Sequence, residues 1–139
     1  MKHYASVFSN AARLRAMGND YIVGELAKAG LENVVASHGD VLVALFEHDG
    51  CNMRDLVSQV RRTKSTVTVL VDKLEKAGYV ERSPDPSDQR AVRVHLTQKG
   101  HGLKPVFESI SQGLETLLSD NLSAQELQTL DKLLSKAVS

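Results

Sequence analysis

The chain has no tryptophan, and aromatic residues make up only 4% of it. Stacking on unpaired bases or on sugars is therefore not a theme this sequence offers. A single cysteine, Cys51, excludes an internal disulfide framework. The longest unbroken apolar run, Val41 to Phe46, falls far short of the roughly 20 residues that span a bilayer. The opening residues MKHYASVFSN hold no apolar stretch of signal-peptide length, so no membrane partner and a cytoplasmic location are expected. Signs of catalysis are missing too: no nucleophile elbow, phosphate loop or metal-ligand cluster is present. The histidines are scattered, and His48 and Cys51 straddle a loop with no second pair to complete a zinc site. No catalytic residue, metal or cofactor is expected.

What is present is ordinary for a soluble globular chain: 139 residues, 42% hydrophobic and 24% charged. That length fits one domain with a real core. Formal net charge is zero, yet the average conceals a split. From Met53 to Lys104 there are 11 Lys and Arg against 6 Asp and Glu, and the remainder reverses those numbers. A central basic block between acidic flanks suits a polyanionic partner for one part of the molecule only.

The N-terminal third repeats apolar residues at helical spacing, with Val7, Phe8, Ala11, Leu14, Tyr21, Ile22 and Leu26 predicting one or two helices and Gly18 marking a break. After Gly30 a second helix is expected through VVASHGDVLVALFEH, from Val34 to His48. In CNMRDLVSQVRR, Asn52 is suited to cap a helix on which Met53, Leu56, Val57 and Val60 recur at i, i+3, i+4, i+7. Only Arg61 and Arg62 separate it from TKSTVTVLVDKLEKAG, where Thr63 caps, Val67, Leu70, Val71 and Leu74 form an apolar stripe, and Gly78 stops the helix. Two short amphipathic helices joined by a tight turn make a helix-turn-helix.

The period then drops to two. Tyr79, Val80 and Arg82 lead into a turn cluster Ser83-Pro84-Asp85-Pro86-Ser87-Asp88, and Val92, Val94 and Leu96 alternate with Arg93 and His95 on a return strand. Helix, turn, helix, hairpin is the order of a winged helix. The last forty or so residues return to helical period through Leu103, Phe107, Ile110, Leu114, Leu117 and Leu118, with Pro105 and Gly113 as kink points. SAQE at Ser123 to Glu126 matches a capping box ahead of Leu127, Leu130, Leu133, Leu134 and Val138. This is more apolar stripe than a small reading module needs. The excess predicts a homodimer interface carried by Val7, Phe8, Leu14, Leu114, Leu118, Leu127, Leu130 and Leu134. The expected fold class is mainly α with a small β-hairpin wing. It forms a single domain over 1–139, with 1–34 and 101–139 as helical dimerisation regions and 35–100 as a winged helix-turn-helix.

Residues 52–100, NMRDLVSQVRRTKSTVTVLVDKLEKAGYVERSPDPSDQRAVRVHLTQKG, closely resemble the DNA-binding core of the MarR family of bacterial transcriptional regulators. The most specific pieces are KSTVT, LVDKLEKAGYVERSPDPSDQRA and VHLTQKG; the outer helices match in pattern rather than in letters. The resemblance implies a homodimer on a pseudo-palindromic operator in double-stranded DNA, commonly a repressor, with affinity altered by a small-molecule effector or an oxidant. It puts Ser65, Thr66 and Thr68, with Lys64 and Lys73, where the family's recognition helix enters the major groove. Asp88 and Arg90 match the family's D-x-R wing signature, in which the arginine enters the minor groove and the aspartate helps hold the wing. The chain departs from the pattern at Val69, often an arginine, and at Arg61 and Arg62, usually a glycine and an apolar residue. Cys51 lies outside the first helix, where the peroxide-sensing branch keeps its cysteine.

Physical chemistry agrees with the likeness. A major groove admits a helix whose leading side chains are compact, and hydroxyls can pair with phosphates or several base edges. Arg61, Arg62 and Lys64 cluster where the recognition helix begins, and a helix N-terminus favours phosphate. Val69 cannot pair with guanine but can pack on a thymine methyl. Arg90 and Arg93 lie on the hairpin, with Arg90 at a tip suited to a narrow, electronegative minor groove. Two alternatives accompany this reading: a redox-responsive regulator working through Cys51, whose place before a helix N-terminus would lower its thiol pKa, and a winged-helix module that binds proteins instead of an operator.

Overall fold

A computed structural model describes residues 2–31 and 36–139. Its elements are α1 (Lys2–Lys28), α2 (Ala36–Glu47), β1 (Cys51–Asn52), α3 (Met53–Val60), α4 (Lys64–Lys76), β2 (Val80–Asp85), β3 (Asp88–Leu96), α5 (Gln98–His101), α6 (Lys104–Ser119) and α7 (Ala124–Ala137). The molecule is mainly helical with one small antiparallel sheet in the order β1-β3-β2, a winged helix-turn-helix with helices before and after it. Val34 and Val35, the expected start of the second helix, lie outside the described residues, as does the boundary placed between 34 and 35. No helix among the described residues is long and apolar enough to cross a membrane.

Two compact units divide the chain, one ending at Phe107 and one running from Glu108 to Ser139. The core of the first unit follows the apolar periods. Val67, Leu70, Val71 and Leu74, the whole stripe of α4, are buried with Val41, Leu42 and Leu45 of α2, Leu56 of α3, and Val80, Val94 and Leu96 of the sheet. Each such side chain contributes about 1.5–3 kcal/mol of transfer free energy before entropy is counted. In α3 only Leu56 is fully buried, while Met53, Val57 and Val60 are half-covered.

The helix-turn-helix is set by its caps. The Asn52 side chain accepts from the Asp55 backbone N–H at 2.9 Å, and the Thr63 hydroxyl accepts from that of Thr66 at 3.2 Å. Each satisfies an N–H that the first helical turn leaves without an intrahelical partner. Between them Arg61 closes α3 in the left-handed region, at φ 58° and ψ 39°, with its N–H donating to the Val57 carbonyl. At the other end of α4, Gly78 takes φ +85° and Tyr79 N–H returns to the Leu74 carbonyl at 2.9 Å.

The wing differs from its sequence pattern in three ways. The strands run on to Asp85 and Asp88, so the turn is Pro86–Ser87 rather than the longer cluster expected, with a register shift between Pro84 and Asp85. Pro84 is tolerated because β2 is an edge strand. Val92 is exposed, so the alternation buries only Val94 and Leu96. A third strand, β1, pairs Cys51 with Val94 and Asn52 with Arg93.

Helix α1 continues through Gly18 without the expected break. Leu26 is its one fully buried side chain among those described, whereas Phe8 is 78% and Val7 62% exposed. Helix α6 likewise runs unbroken through Pro105 and Gly113; at the second helical position Pro105 has no intrahelical N–H bond to lose. In the second unit, Ser123 and Glu126 form the reciprocal capping box, and α7 has no buried residue. Leu133, Leu134 and Val138 are exposed, and Leu114, Leu118, Leu127 and Leu130 are half-covered.

The short helix α5 fixes the root of the wing. Thr97 caps it by accepting from Gly100 N–H at 3.1 Å and donates its own hydroxyl to the Gly78 carbonyl at 2.6 Å. Thr97 N–H reaches the Tyr79 carbonyl at 3.0 Å, and a Cβ on Gly100 would sit 2.1 Å from that same oxygen. Gly100→Ala is therefore expected to lower stability by about 2 kcal/mol or more, because a hydrogen-bonded backbone oxygen cannot step aside as a side chain can. Urea unfolding measures it, and an unchanged midpoint would show that the contact is not tight.

Candidate nucleic-acid interface

Helix α4 buries one stripe and turns the other outward. Lys64, Ser65, Thr66, Val69 and Lys73 are exposed, and Thr68 is half-covered. The leading hydroxyls are organised around the cap: Thr63 Oγ1 lies 2.8 Å from Thr66 Oγ1 and 3.2 Å from Ser65 Oγ. Thr68 donates its hydroxyl back to the Lys64 carbonyl at 2.8 Å. The result is a compact face, with lysines at 64 and 73 and no long polar side chain between them.

The wing carries a second exposed feature. Asp88 Oδ1 accepts the Arg90 N–H at 2.9 Å, a local turn that sets the backbone while both side chains stay exposed. Beside it Asp85 is buried and accepts from both Ser87 N–H at 2.9 Å and Ser87 Oγ at 2.8 Å. Those two bonds from Ser87, with Arg93 nearby, hold its carboxyl below the usual carboxylate range.

The basic residues divide by what they touch. Arg93 donates from Nη1 to the Gly50 carbonyl at 3.1 Å and places Nε 3.4 Å from Asp85 Oδ2. Arg62 gives Nε and Nη2 to Asp40 Oδ2 at 3.1 and 2.8 Å, tying the turn to the start of α2. Sequence pattern put both arginines toward DNA; the structure gives their guanidinium groups partners inside the fold. Arg61, next to Arg62, is exposed, as are Lys64, Lys73 and Arg90.

One central residue has no sequence expectation attached to it. Arg82, on β2, donates its backbone N–H to Glu75 Oε2 at 3.1 Å and Nη1 to Glu75 Oε1 at 3.3 Å. Its Nη2 reaches the Thr68 carbonyl at 3.4 Å and pairs with Asp72. One guanidinium thus joins the wing to the exposed side of α4. The signal was legible: Asp72 and Glu75 are an acidic pair, three apart, on an otherwise basic helix face.

Cys51 and His38 show how burial acts nearby. Burial is the main cause pushing the Cys51 thiol up from its ordinary value; a backbone hydrogen bond opposes it, Asp55 and Asp49 add to it, and Arg93 opposes it more weakly. A helix N-terminus alone would have lowered it; desolvation wins, so Cys51 is short of the thiolate that redox sensing needs. The redox alternative is therefore not favoured. His38, buried on α2, is held below the usual histidine range, first by burial and then by Lys73 of α4.

Comparison with known proteins gives a consistent picture. Residues 36–92 match the model of the MarR family. The chain is 28% identical over 98 residues to the uncharacterized HTH-type transcriptional regulator YwhA of Bacillus subtilis, covering 70% of each protein. Other HTH-type transcriptional regulators are matched over 33 to 65% of their length. Among solved structures, a MarR transcriptional regulator from Methanosarcina mazei Go1 has a TM-score of 0.79 at 26% identity, over 93% of this chain and 91% of that one. A mutant MarR from E. coli complexed with operator DNA has a TM-score of 0.86 at 24% identity, over 96% and 94%, a likeness of fold.

The left-handed Arg61 is the one described non-glycine residue with positive φ. Such a conformation costs an ordinary side chain on the order of 1 kcal/mol. Arg61→Gly is expected to raise stability by about 0.5–1 kcal/mol, part of the relief being offset by the freer unfolded chain. A lower urea midpoint for the glycine variant would show that Arg61 is not strained.

Proposed function

We propose that this chain is a MarR-family transcriptional regulator, a homodimeric repressor that grips a pseudo-palindromic operator and releases it when a small molecule binds. It acts in the cytoplasm and needs no cofactor. In each protomer α4 lies in the major groove, with Lys64, Ser65, Thr66, Thr68, Val69 and Lys73 toward the bases and phosphates and Arg61 beside the backbone. Arg90 enters the neighbouring minor groove on a wing whose tip Asp88 shapes. Arg62 and Arg93 contribute from behind, by holding the turn and the wing in register.

The observation that carries this reading is the clasp of Arg82 on Asp72, Glu75 and the Thr68 carbonyl. It ties an exposed, compact helix face to an exposed cation on a hairpin, the two features needed to engage adjacent grooves together. Support also comes from a molecule of the same fold bound to operator DNA. Dimerisation is assigned to residues 1–34 and 101–139, through Val7, Phe8 and Leu14 on α1 and Leu114, Leu118, Leu127, Leu130 and Leu134 on α6 and α7. Val7 and Phe8 are large apolar side chains left in water, a state that a second copy would end. Half-sites one helical turn apart lie about 34 Å apart, so an effector that shifts the two recognition helices by a few ångströms breaks simultaneous docking.

Selection from a random duplex pool at two salt concentrations tests the reading. A pseudo-palindrome bound by two protomers is expected, with log affinity falling steeply against log salt. Arg90→Ala should weaken binding, lessen the slope by about one charge and leave the dimer intact. Absence of any selected sequence at either salt would instead favour a winged-helix module that binds protein.

A further inference from the structure

Helix α4 is unusual in what it offers to bases. Its sequence KSTVTVLVDKLEK contains no arginine, asparagine or glutamine, so that of the residues that read guanine or adenine by hydrogen bonds only lysine is present, with Lys64 and Lys73 at the two ends of the exposed face. Its two acidic side chains, which could accept from cytosine, are occupied by Arg82. Its hydroxyls, although at the surface, are partly engaged within the helix's own first turns. Thr68 spends its one donor proton on the Lys64 carbonyl, while Ser65 and Thr66 both lean on Thr63.

What remains outward in the middle of this face is Val69, 50% exposed. It lies one turn in from Ser65, flanked by Thr68 and Lys73, and it is the one large apolar side chain of α4 that is exposed. Local forces do not favour it there: a β-branched side chain loses rotamer freedom in a helix, and half its surface meets water. Among the base edges of the major groove one chemical group is apolar, the C5-methyl of thymine.

We infer that the recognition helix selects its half-site by apolar contact between Val69 and a thymine methyl, so that the operator carries an A·T pair at the centre of each α4 footprint. The inference rests on the DNA-binding function proposed above and specifies its target. In this assignment the lysines at the two ends of the face pair with phosphates, which adds affinity without sequence preference, and the methyl contact supplies the choice of base.

Deoxyuridine differs from thymidine only by that methyl and leaves every hydrogen-bonding edge unchanged. The probe is the duplex selected from the random pool, with each thymine of a half-site replaced singly by uracil. At one or two positions per half-site the wild-type dimer should bind roughly fourfold more weakly, the effect of one buried methyl-sized group. Val69→Ala should bind the thymine duplex more weakly by a similar factor and no longer distinguish uracil at those positions. Because Val69 is exposed, this variant should fold and dimerise as the wild type does, checked by its unfolding midpoint and mass in solution. Discrimination that persists in Val69→Ala would overturn the assignment to this side chain. A selected sequence indifferent to uracil at every position would overturn the inference while leaving operator binding standing. A pool that yields no selected sequence would overturn both.

Discussion

The guanidinium of Arg82 is the constraint on which the placing of the wing against α4, and with it the proposed reading surface, depends. It reaches from β2 across to α4, where Asp72, Glu75 and the Thr68 carbonyl accept from it. All three side chains are partly exposed, so the pairs contribute modestly to stability. Their importance is geometric. A hairpin attached to its helix only through Ala77–Tyr79 would be free to swing, and a swinging wing would have to be ordered each time DNA is bound. Fixing it beforehand moves that entropic cost into folding. The root is fixed as well, by Thr97 donating to the Gly78 carbonyl and by Gly100 lying against Tyr79.

The basic surplus of the central block therefore serves two purposes. Arg62, Arg82 and Arg93 hold together parts that are distant in sequence: the turn to α2, the wing to α4, and β3 to the wing turn and Gly50. Arg61, Lys64, Lys73 and Arg90 stay exposed. The planar guanidinium suits the first group, since it can serve several acceptors at once from one rigid fork. Composition counts all seven alike, so net charge overstates what is offered to a polyanion.

The fold was largely legible in the sequence. The stripe Val67, Leu70, Val71, Leu74, the caps Asn52, Thr63 and Ser123, and the stop at Gly78 are local signals, and each appears where its chemistry requires. What escaped was short or non-local. Strand β1 has two residues and α5 four, too few to show a period. The ends of the wing strands were hidden because Pro84 and Asp85 look like turn residues, although Pro84 sits on an edge and Asp85 is buried against Ser87 and Arg93. Position along the chain also gave no sign of the intramolecular partners of Arg62 and Arg93, since Asp40 and Gly50 are 22 and 43 residues away. Cys51 reversed its expected pKa direction because burial on a strand outweighed the helix beside it. At the candidate interface, then, local pattern indicated which residues are exposed, while the long-range partners that position them left no local signal.

The most direct test of the central claim is a double-mutant cycle on DNA affinity with Arg82→Ala and Arg90→Ala. If Arg82 acts by holding the wing where Arg90 meets the duplex, removing Arg90 will cost much less once Arg82 is gone, with a coupling of about 1 kcal/mol or more. Losses that add to within roughly 0.5 kcal/mol would mean that wing and recognition helix act independently, and the account would fail.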